Sequence, residues 1–249
     1  MNFNTVIEKP ANLFIVAIEG LDATGKETFG NSLYNYMNEF DWGGEKKVFI
    51  TQHAFPTYST EIGKMIKHIL MTPHEDRDNK LLDDLMFYDR IEYMTNICIQ
   101  ARRSPETAFF LILDRYYFSN FVYSAQDSYT TQKKFELEAT TLPKPNIVIH
   151  FIPETEEGRS IHKKQIEEKQ DKDLNEVYEF QEYLMKKYVP KLKYSMGYYM
   201  DWDKSAAGVV TGDVTIQMTN DIGSNYGNLN KESEVVSMFK SWANQRGLA

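Results

Sequence analysis

The stretch that decides the fold is Gly20-Leu21-Asp22-Ala23-Thr24-Gly25-Lys26. It matches the first seven positions of the phosphate-binding pattern G-x-x-x-x-G-K-[ST]. Glycines let such a loop wrap tightly, so that successive backbone N–H groups point at phosphate oxygens. The lysine neutralises the outer phosphates, and the helix after the loop presents its positive N-terminal end. The stretch therefore predicts a loop that binds the phosphates of a nucleotide.

The segments on either side of this loop fit the same prediction. The apolar run Leu13–Ile18 precedes the loop and is typical of a buried strand. Apolar residues then recur at helical spacing, namely Phe29, Leu33, Tyr36, Met37 and Phe40. A glycine turn without a ligand is the alternative interpretation, and the strand–loop–helix context argues against it.

The eighth position of the pattern departs from expectation. It is normally Ser or Thr, whose hydroxyl binds Mg²⁺, but this chain has Glu27, with Thr28 one residue later. Three consequences are open: the carboxylate binds the metal directly, Thr28 replaces the missing hydroxyl, or catalysis is lost. The predicted metal ligands are accordingly Glu27 and Thr28, together with Asp114, which follows a later strand.

The rest of the chain alternates short apolar runs with longer helical patterns, which predicts a parallel sheet covered by helices. Further strands are predicted at 48–50, 109–113, 146–151 and 214–218, and further helices at 80–103, 176–193 and 232–244. Ser59 is the predicted N-cap of another helix. Residues 154–173 are very polar and are expected to be mobile, and residues 198–212 have no assignable periodicity. We expect one domain over residues 1–249.

Composition excludes several functional classes. A formal net charge of -8 disfavours nucleic-acid and anionic-membrane partners, which need clustered cations. The single cysteine, Cys98, cannot form an intrachain disulfide, and its apolar neighbours predict a buried core thiol. The N-terminus lacks a signal-peptide pattern, and the apolar runs are too short to span a bilayer. These features predict a cytoplasmic protein.

Three further segments, taken with Glu19–Asp22, carry a resemblance to a known family. They are Phe55–Lys64, Asp114–Ser119 and Leu142–Pro145. Together they resemble the thymidylate kinase family, with the eukaryotic and viral members most similar, over about residues 14–188. The resemblance implies a three-layer P-loop NTPase fold with a mostly parallel five-stranded sheet and a helical lid at about 154–176. It also implies ATP as donor, Mg²⁺ as cofactor, dTMP or dUMP as acceptor, and a homodimer.

The resemblance assigns roles to residues of this chain. Lys26, Asp22, Asp114 and Arg115 would be catalytic, with Asp22 approaching the sugar 3′-hydroxyl and Arg115 binding the acceptor phosphate. The physical context agrees, because Asp114 and Arg115 leave the carboxyl end of a strand, where open α/β sheets bind ligands. A buried Asp–Arg pair that holds a loop is the alternative.

The remaining acceptor contacts also follow from the resemblance. Phe55 would line the site, and Tyr123 would pack beneath the deoxyribose. Phe87 would stack on the base and Arg90 would bond a base carbonyl, although Phe87 precedes Arg90 by three positions rather than the usual four. Core packing is the alternative for Phe87. Tyr58 stands where the family commonly has a second phosphate-binding arginine, and tyrosine brings no positive charge.

The predicted lid would supply a cation to the transition state. Family members carry this arginine in the phosphate loop or in the lid, and the loop position here is Ala23. The candidates are Arg159, Lys163, Lys164, Lys169 and Lys172, with Glu176 aligned to an acidic lid residue. A solvated helix with Glu–Lys pairs is the plainer interpretation of most of these residues.

Transfer of the ATP γ-phosphate to a deoxynucleoside monophosphate is the leading functional hypothesis. A deoxynucleoside kinase is one alternative, although such enzymes need a carboxylate base beside the acceptor hydroxyl. A nucleotide-binding protein with weak or no catalysis is the other. Ala23, Glu27 and Tyr58 support this second alternative, because each removes an element that phosphoryl transfer normally uses.

Overall fold

The computed structural model describes residues 6–42, 47–73, 76–152, 156–168, 178–187, 215–219 and 230–248. Its centre is a five-stranded sheet with the strand order β2-β3-β1-β4-β5, in which every pair of neighbours is parallel. The strands are β1 (Leu13–Gly20), β2 (Lys47–Ala54), β3 (Thr107–Asp114), β4 (Ile147–Ile152) and β5 (Thr215–Thr219). The predicted parallel α/β fold is confirmed.

Helices connect and cover the strands. They are α1 (Lys26–Glu39), α2 (Glu61–Leu70), α3 (Asn79–Arg103), α4 (Tyr117–Tyr123), α5 (Ser128–Thr141), α6 (Glu156–Glu168), the helical residues 178–187, here called α7, and α8 (Asn230–Gln245). Sequence patterns predicted most of them but not α4 and α5, which carry mixed polar and aromatic residues.

The two faces of the central strands belong to different layers of the core. In β1, Leu13, Ile15 and Ala17 pack with α3, α4, α5 and α7, whereas Phe14, Val16 and Ile18 pack with α1 and α8. The side-chain period of two in a strand produces this division. Because both faces are covered, the strand reads as a continuous apolar run. The fold is therefore helix, sheet, helix.

One sequence prediction about a helix end needs correction. Thr60, not Ser59, is the N-cap of α2, because its side-chain oxygen accepts a hydrogen bond from the Gly63 N–H at 3.0 Å. Within the polar segment that is expected to be mobile, residues 156–168 form a helix. The polar sequence reflects a solvated face, along which Lys163 pairs with Glu167 and Lys164 pairs with Glu168 at i,i+4 spacing.

Several predicted features lie outside the described residues, namely Lys169, Lys172, Glu176 and the segment 198–212. Cys98 is fully buried in the core, and burial raises the pKa of its thiol to about 11. This confirms a core thiol. Over the described part of the chain, no helix is both long and apolar enough to cross a membrane.

Gly20 closes β1 where the chain passes directly beside β4. Its φ is +148°, and a Cβ atom added there would lie 2.4 Å from the backbone carbonyl oxygen of Phe151. Since Phe151 is paired in the sheet, it cannot move aside without breaking the β1–β4 ladder. Only glycine fits this position.

We expect Gly20→Ala to lower the free energy of unfolding by at least about 2 kcal/mol, because the new Cβ clashes with backbone. Gly30→Ala is the matched control, since the nearest atoms to its Cβ would belong to side chains, the end of the flexible Gln52 at 2.9 Å and Ile18 Cδ1 at 3.4 Å. Chemical denaturation of both variants measures the difference. Equal stability of the two variants would contradict the close approach of the strands.

Candidate active site

The predicted site residues converge at the carboxyl ends of three neighbouring strands. The Arg115 N–H donates to the Ile18 carbonyl at 2.8 Å, and the Phe55 N–H donates to the Asp114 carbonyl at 3.0 Å. The ends of β1, β3 and β2 are thus joined in one rim. This is the edge of an open parallel sheet where ligands bind.

Backbone geometry shapes the loop at this edge, here called the phosphate loop (residues 20–26). Gly25 has a φ of 86° and immediately precedes α1. Among the described residues, the non-glycine residues with positive φ are Ala23, at 52°, and Arg115, at 67°. Such left-handed conformations cost energy for residues with a Cβ and cluster at functional sites. Both lie where the sequence predicts ligand contacts.

Lys26 folds back onto its own loop. Its ammonium group is buried and donates a hydrogen bond to the Leu21 carbonyl, which also accepts from the Thr24 hydroxyl at 2.8 Å. Burial lowers the pKa of Lys26 to about 8, as does Arg115, whereas Asp114, Asp22 and Glu19 act in the opposite direction. A buried ammonium so close to carboxylates is a ready partner for phosphate oxygens.

Arg115 forms an ion pair with Asp22 of the phosphate loop. One guanidinium nitrogen, Nη1, also donates to the Gly20 carbonyl at 3.1 Å and to the Ser119 hydroxyl at 3.2 Å. The guanidinium carbon lies 4.9 Å from the centre of the Tyr123 ring, a cation–π distance. The guanidinium is thus fixed against the loop, and both groups of the pair remain about a fifth exposed.

Asp22 is the centre of this network. The Tyr123 hydroxyl and the Gln181 amide each donate to its second carboxylate oxygen at 2.9 Å. The Asp22 N–H in turn donates to the Gln181 side-chain oxygen at 3.0 Å. Burial raises the pKa of Tyr123, so its hydroxyl keeps its proton. The structure therefore brings together Asp22, Arg115 and Tyr123, as predicted, and adds Gln181 of α7.

Glu19 holds the other side of the site and received no role from the sequence. Its carboxylate is fully buried and accepts hydrogen bonds from the Tyr116 N–H, at 2.9 Å, and from the Ser119 hydroxyl. Burial raises its pKa, and the Ser119 bond and the Arg115 charge act against that shift. Because Ser119 also accepts from Arg115, Glu19 positions the guanidinium through one hydroxyl. An acidic residue within the apolar strand before Gly20 was the available signal.

The predicted acceptor residues have different environments. Phe55 is buried, and the Arg90 guanidinium lies 5.7 Å from the centre of its ring. The peptide bond between Phe55 and Pro56 is cis. Phe87 belongs to the buried core cluster, which favours packing over stacking on a base. Tyr58 is 46% exposed.

Arg90 is buried beside an acidic partner that the sequence did not indicate. Its Nη1 lies 3.5 Å from a Glu138 carboxylate oxygen, with both side chains 3% exposed, and donates to the Met86 carbonyl at 2.8 Å. Asn120 donates to the other Glu138 oxygen. Burial raises the pKa of Glu138 to about 7, although Arg90 and Asn120 oppose the shift. The ion pair thus does not overcome the cost of burying the carboxylate.

The predicted metal ligands differ in position. Glu27 and Thr28 are exposed in the first turn of α1. One Asp114 oxygen, Oδ1, is buried and has no hydrogen-bond partner within the described ranges, and Asp114 interacts electrostatically with Lys26. Within the described ranges, no group of three or more His, Cys, Asp or Glu side chains could hold a metal alone. Mg²⁺ commonly needs only one or two carboxylates beside phosphate oxygens, so these residues fit it.

Of the predicted lid cations, the three that the structure describes are exposed to solvent. Arg159 is exposed, and the Lys163 and Lys164 side chains are 52% and 74% exposed. The α6 side chain that reaches the loop is His162, whose Nε2 lies 2.6 Å from the Asp22 carbonyl oxygen. Sequence reasoning missed both His162 and Gln181, because neither belongs to a residue class that the family pattern marks.

Glu138 makes stability depend on pH in a defined direction. Its pKa is raised in the folded chain, so the folded state holds a proton that the unfolded state releases above about pH 4.5. Stability therefore falls as pH rises from about 4.5 to about 7, by about 3 kcal/mol. Glu138→Gln keeps the bond from Asn120 and removes the ionisation. We expect its unfolding free energy to fall less than that of the unchanged chain over this interval, as measured by denaturant titration. Parallel pH dependences would contradict the assignment.

Comparison with known proteins agrees with this geometry. The family model described as thymidylate kinase matches residues 18–193. A thymidylate kinase of Brachyspira hyodysenteriae is 22% identical over 152 residues, which are 60% of this chain and 69% of that protein. The solved structure of thymidylate kinase from Candida albicans has a TM-score of 0.57 and 18% identity, covering 92% of this chain and 93% of that one. The matched segment spans the phosphate loop, the Arg115 region, α6 and α7, and the chain therefore belongs to the thymidylate kinase family, a family of nucleoside monophosphate kinases.

Proposed function

We propose that this kinase transfers the γ-phosphate of ATP to dTMP. The observation that carries the proposal is the Asp22–Arg115 ion pair, which joins the phosphate loop to the carboxyl end of β3. Asp22 belongs to the phosphate loop, which would bind the donor, and the Arg115 guanidinium is suited to binding a second phosphate. A site that moves a phosphoryl group between two nucleotides needs both within reach.

Each residue of the site has a defined task in this proposal. Lys26 and the backbone N–H groups of the phosphate loop bind the ATP phosphates. Arg115 binds the acceptor phosphate and aligns one of its oxygens with the γ-phosphorus. As that oxygen forms its bond, the bond to the leaving ADP oxygen breaks, and Lys26 and Arg115 stabilise the charge on the phosphoryl group.

Nucleotide binding would replace some of the hydrogen bonds that Lys26 and Arg115 make within the chain. The Lys26 ammonium now bonds the Leu21 carbonyl, and Arg115 bonds Asp22 and the Gly20 carbonyl. Phosphate oxygens are stronger, charged acceptors and can replace these carbonyls. Arg115 can then keep Asp22 on one edge of its planar fork and bind a phosphate on the other.

Mg²⁺ would offset the negative charge of the ATP phosphates. Asp114 would hold it through Oδ1, the buried oxygen without a hydrogen-bond partner, and Glu27 or Thr28 would hold it from α1. A carboxylate at position 27 keeps an oxygen ligand where the pattern has a hydroxyl. This favours Glu27 as a ligand over Glu27 as a block to catalysis.

Selection of the acceptor would rest on Tyr123 and Arg90. Tyr123 lies beside Arg115 and donates a hydrogen bond to Asp22. These contacts support a role for its ring beneath the sugar of an acceptor held by Arg115. Arg90 would bond a base carbonyl, so dTMP and dUMP are the expected acceptors. A single domain, a homodimer and a cytoplasmic location remain part of this proposal.

Two other functions make different predictions. A deoxynucleoside kinase would phosphorylate thymidine rather than dTMP, but Arg115 occupies the space beside Asp22 with a cation suited to a phosphate. A nucleotide-binding protein without turnover would bind ATP and form no ADP. An assay of ATP with dTMP, dUMP, dGMP, dCMP or thymidine, with and without Mg²⁺, separates the three.

We expect ADP formation with dTMP, and we expect Arg115→Gln to lower kcat/KM for the acceptor by about 10²-fold or more, because it removes the charge that binds the acceptor phosphate. Arg103→Ala is the control, since Arg103 is exposed at the end of α3. Coupled ADP detection measures both. Turnover of thymidine but not dTMP would contradict the proposal.

Glu27 is tested through the metal rather than through the nucleotide. We expect Glu27→Ala to raise the Mg²⁺ concentration for half-maximal rate by about 10-fold, because an oxygen ligand is lost. Glu27→Ser restores an oxygen and should return the requirement towards that of the unchanged chain. Glu39→Ala, at the exposed end of the same helix, is the control. A faster rate in Glu27→Ala at saturating Mg²⁺ would show that Glu27 inhibits catalysis.

A further inference from the structure

The side chain of His162 lies between α6 and the phosphate loop. It is completely buried, and its Nε2 lies 2.6 Å from the backbone carbonyl oxygen of Asp22. On its other side the ring packs edge-on against Tyr178 of α7, with ring centres 6.2 Å apart. The imidazole therefore connects the predicted lid to the loop that binds the donor.

The second ring nitrogen of His162 has no hydrogen-bond partner among the described residues. A carbonyl oxygen only accepts hydrogen bonds, so Nε2 carries the proton in the contact with Asp22. Nδ1 is buried and bonds to no atom in the part of the chain that the structure describes. Buried polar atoms are nearly always paired, and an exception indicates a strained or functional position. An anionic oxygen beside the ring would accept from a protonated Nδ1.

Other groups of α6 do not fill this role among the described residues. Arg159 is exposed, and Lys163 and Lys164 extend into solvent towards Glu167 and Glu168. Ala23 occupies the phosphate-loop position at which some family members carry an arginine, so this position supplies no cation. Of the ionisable side chains described on α6, His162 is thus the one in contact with the loop.

The electrostatics of the ring depend on what the phosphate loop holds. Burial lowers the pKa of His162, the contact with Asp22 raises it, and the Lys26 charge lowers it. Tyr178 also faces the ring from α7, and Lys163 of α6 lies over the outer side of that tyrosine at 5.3 Å. A bound triphosphate adds negative charge beside Lys26. It offsets the lysine and favours the imidazolium.

We propose that His162 is a catalytic residue: as an imidazolium it holds the Asp22 carbonyl through Nε2 and donates from Nδ1 to the phosphoryl group in transfer. This rests on the proposed phosphoryl transfer and adds the group that acts from the lid. The phosphorus–oxygen bond to ADP breaks as the bond to the acceptor oxygen forms. His162 keeps both protons throughout and contributes charge, not a proton.

Three substitutions test the role. His162→Gln keeps a donor for the Asp22 carbonyl but cannot carry a charge, and we expect its kcat to fall about 10²-fold with little change in thermal stability. His162→Arg restores the charge and should recover at least a tenth of the original kcat. Gln165→Ala, on the exposed face of α6, is the matched control and should retain full kcat.

The pH profile separates charge from simple packing. We expect the kcat of the unchanged chain to fall as the imidazolium loses its proton. His162→Arg should lack that step and keep only the fall at higher pH that comes from Lys26, whose pKa is lowered to about 8. A His162→Gln variant with normal kcat, in a chain that turns over dTMP, would overturn the inference and leave the proposed function intact. A chain that forms no ADP with any acceptor would instead overturn the proposed function.

A binding measurement tests the same inference without turnover. Proton NMR follows the His162 ring, identified by the signal that His162→Gln lacks, as pH is varied with and without a non-hydrolysable ATP analogue. We expect the analogue to raise the pKa of the ring by about one unit or more, because it brings negative charge beside the ring. A signal that titrates identically in both samples, although the analogue binds, would overturn the inference. An analogue that does not bind would instead overturn the proposed function.

Discussion

The site depends on one ion pair, between Arg115 after β3 and Asp22 in the phosphate loop. These residues come from strands that are neighbours in the sheet but distant in the chain. Tyr123, Gln181 and Ser119 each add a hydrogen bond to one member of the pair, so that several elements meet on it. A charge pair this well bonded keeps the donor loop and the acceptor side at a fixed separation, and positioning supplies much of the catalysis in phosphoryl transfer.

Buried charge recurs around this pair and is balanced in different ways. Glu19 is held by a backbone N–H and a hydroxyl, whereas Glu138 has Arg90 and Asn120 as partners, and burial raises the pKa of each carboxylate. For each carboxylate, the energetic cost of desolvating the charged form therefore exceeds the stabilisation that its partners provide. Such costs are tolerated where they fix a functional group, and Glu19 fixes Arg115 through Ser119.

The charged groups of the site bond to partners within the chain. Lys26 bonds Leu21, Arg115 bonds Asp22, and His162 and Gln181 bond Asp22 from α6 and α7. The cationic groups are thus held in place by internal acceptors that a phosphate can replace. These internal acceptors keep the cationic side chains ordered, but they also compete with the phosphate of a ligand. Binding then becomes an exchange of acceptors rather than an ordering of free side chains.

The sequence by itself determined the layer order and the donor loop. Continuous apolar runs at 13–18 and 109–113 predict strands covered on both faces, and the spacing of Gly20, Gly25 and Lys26 predicts a phosphate loop, because both signals are local. Family resemblance added Asp22, Arg115 and Tyr123, which the fold brings together. Only the tertiary structure decided which residues distant in the sequence become hydrogen-bond or ion-pair partners in the site. Glu138, Gln181 and His162 carry no local pattern, since a side chain becomes part of a site only when packing brings its helix to the loop. The same packing leaves Lys163 and Lys164 exposed on α6, because a charged helix face is more stable in water.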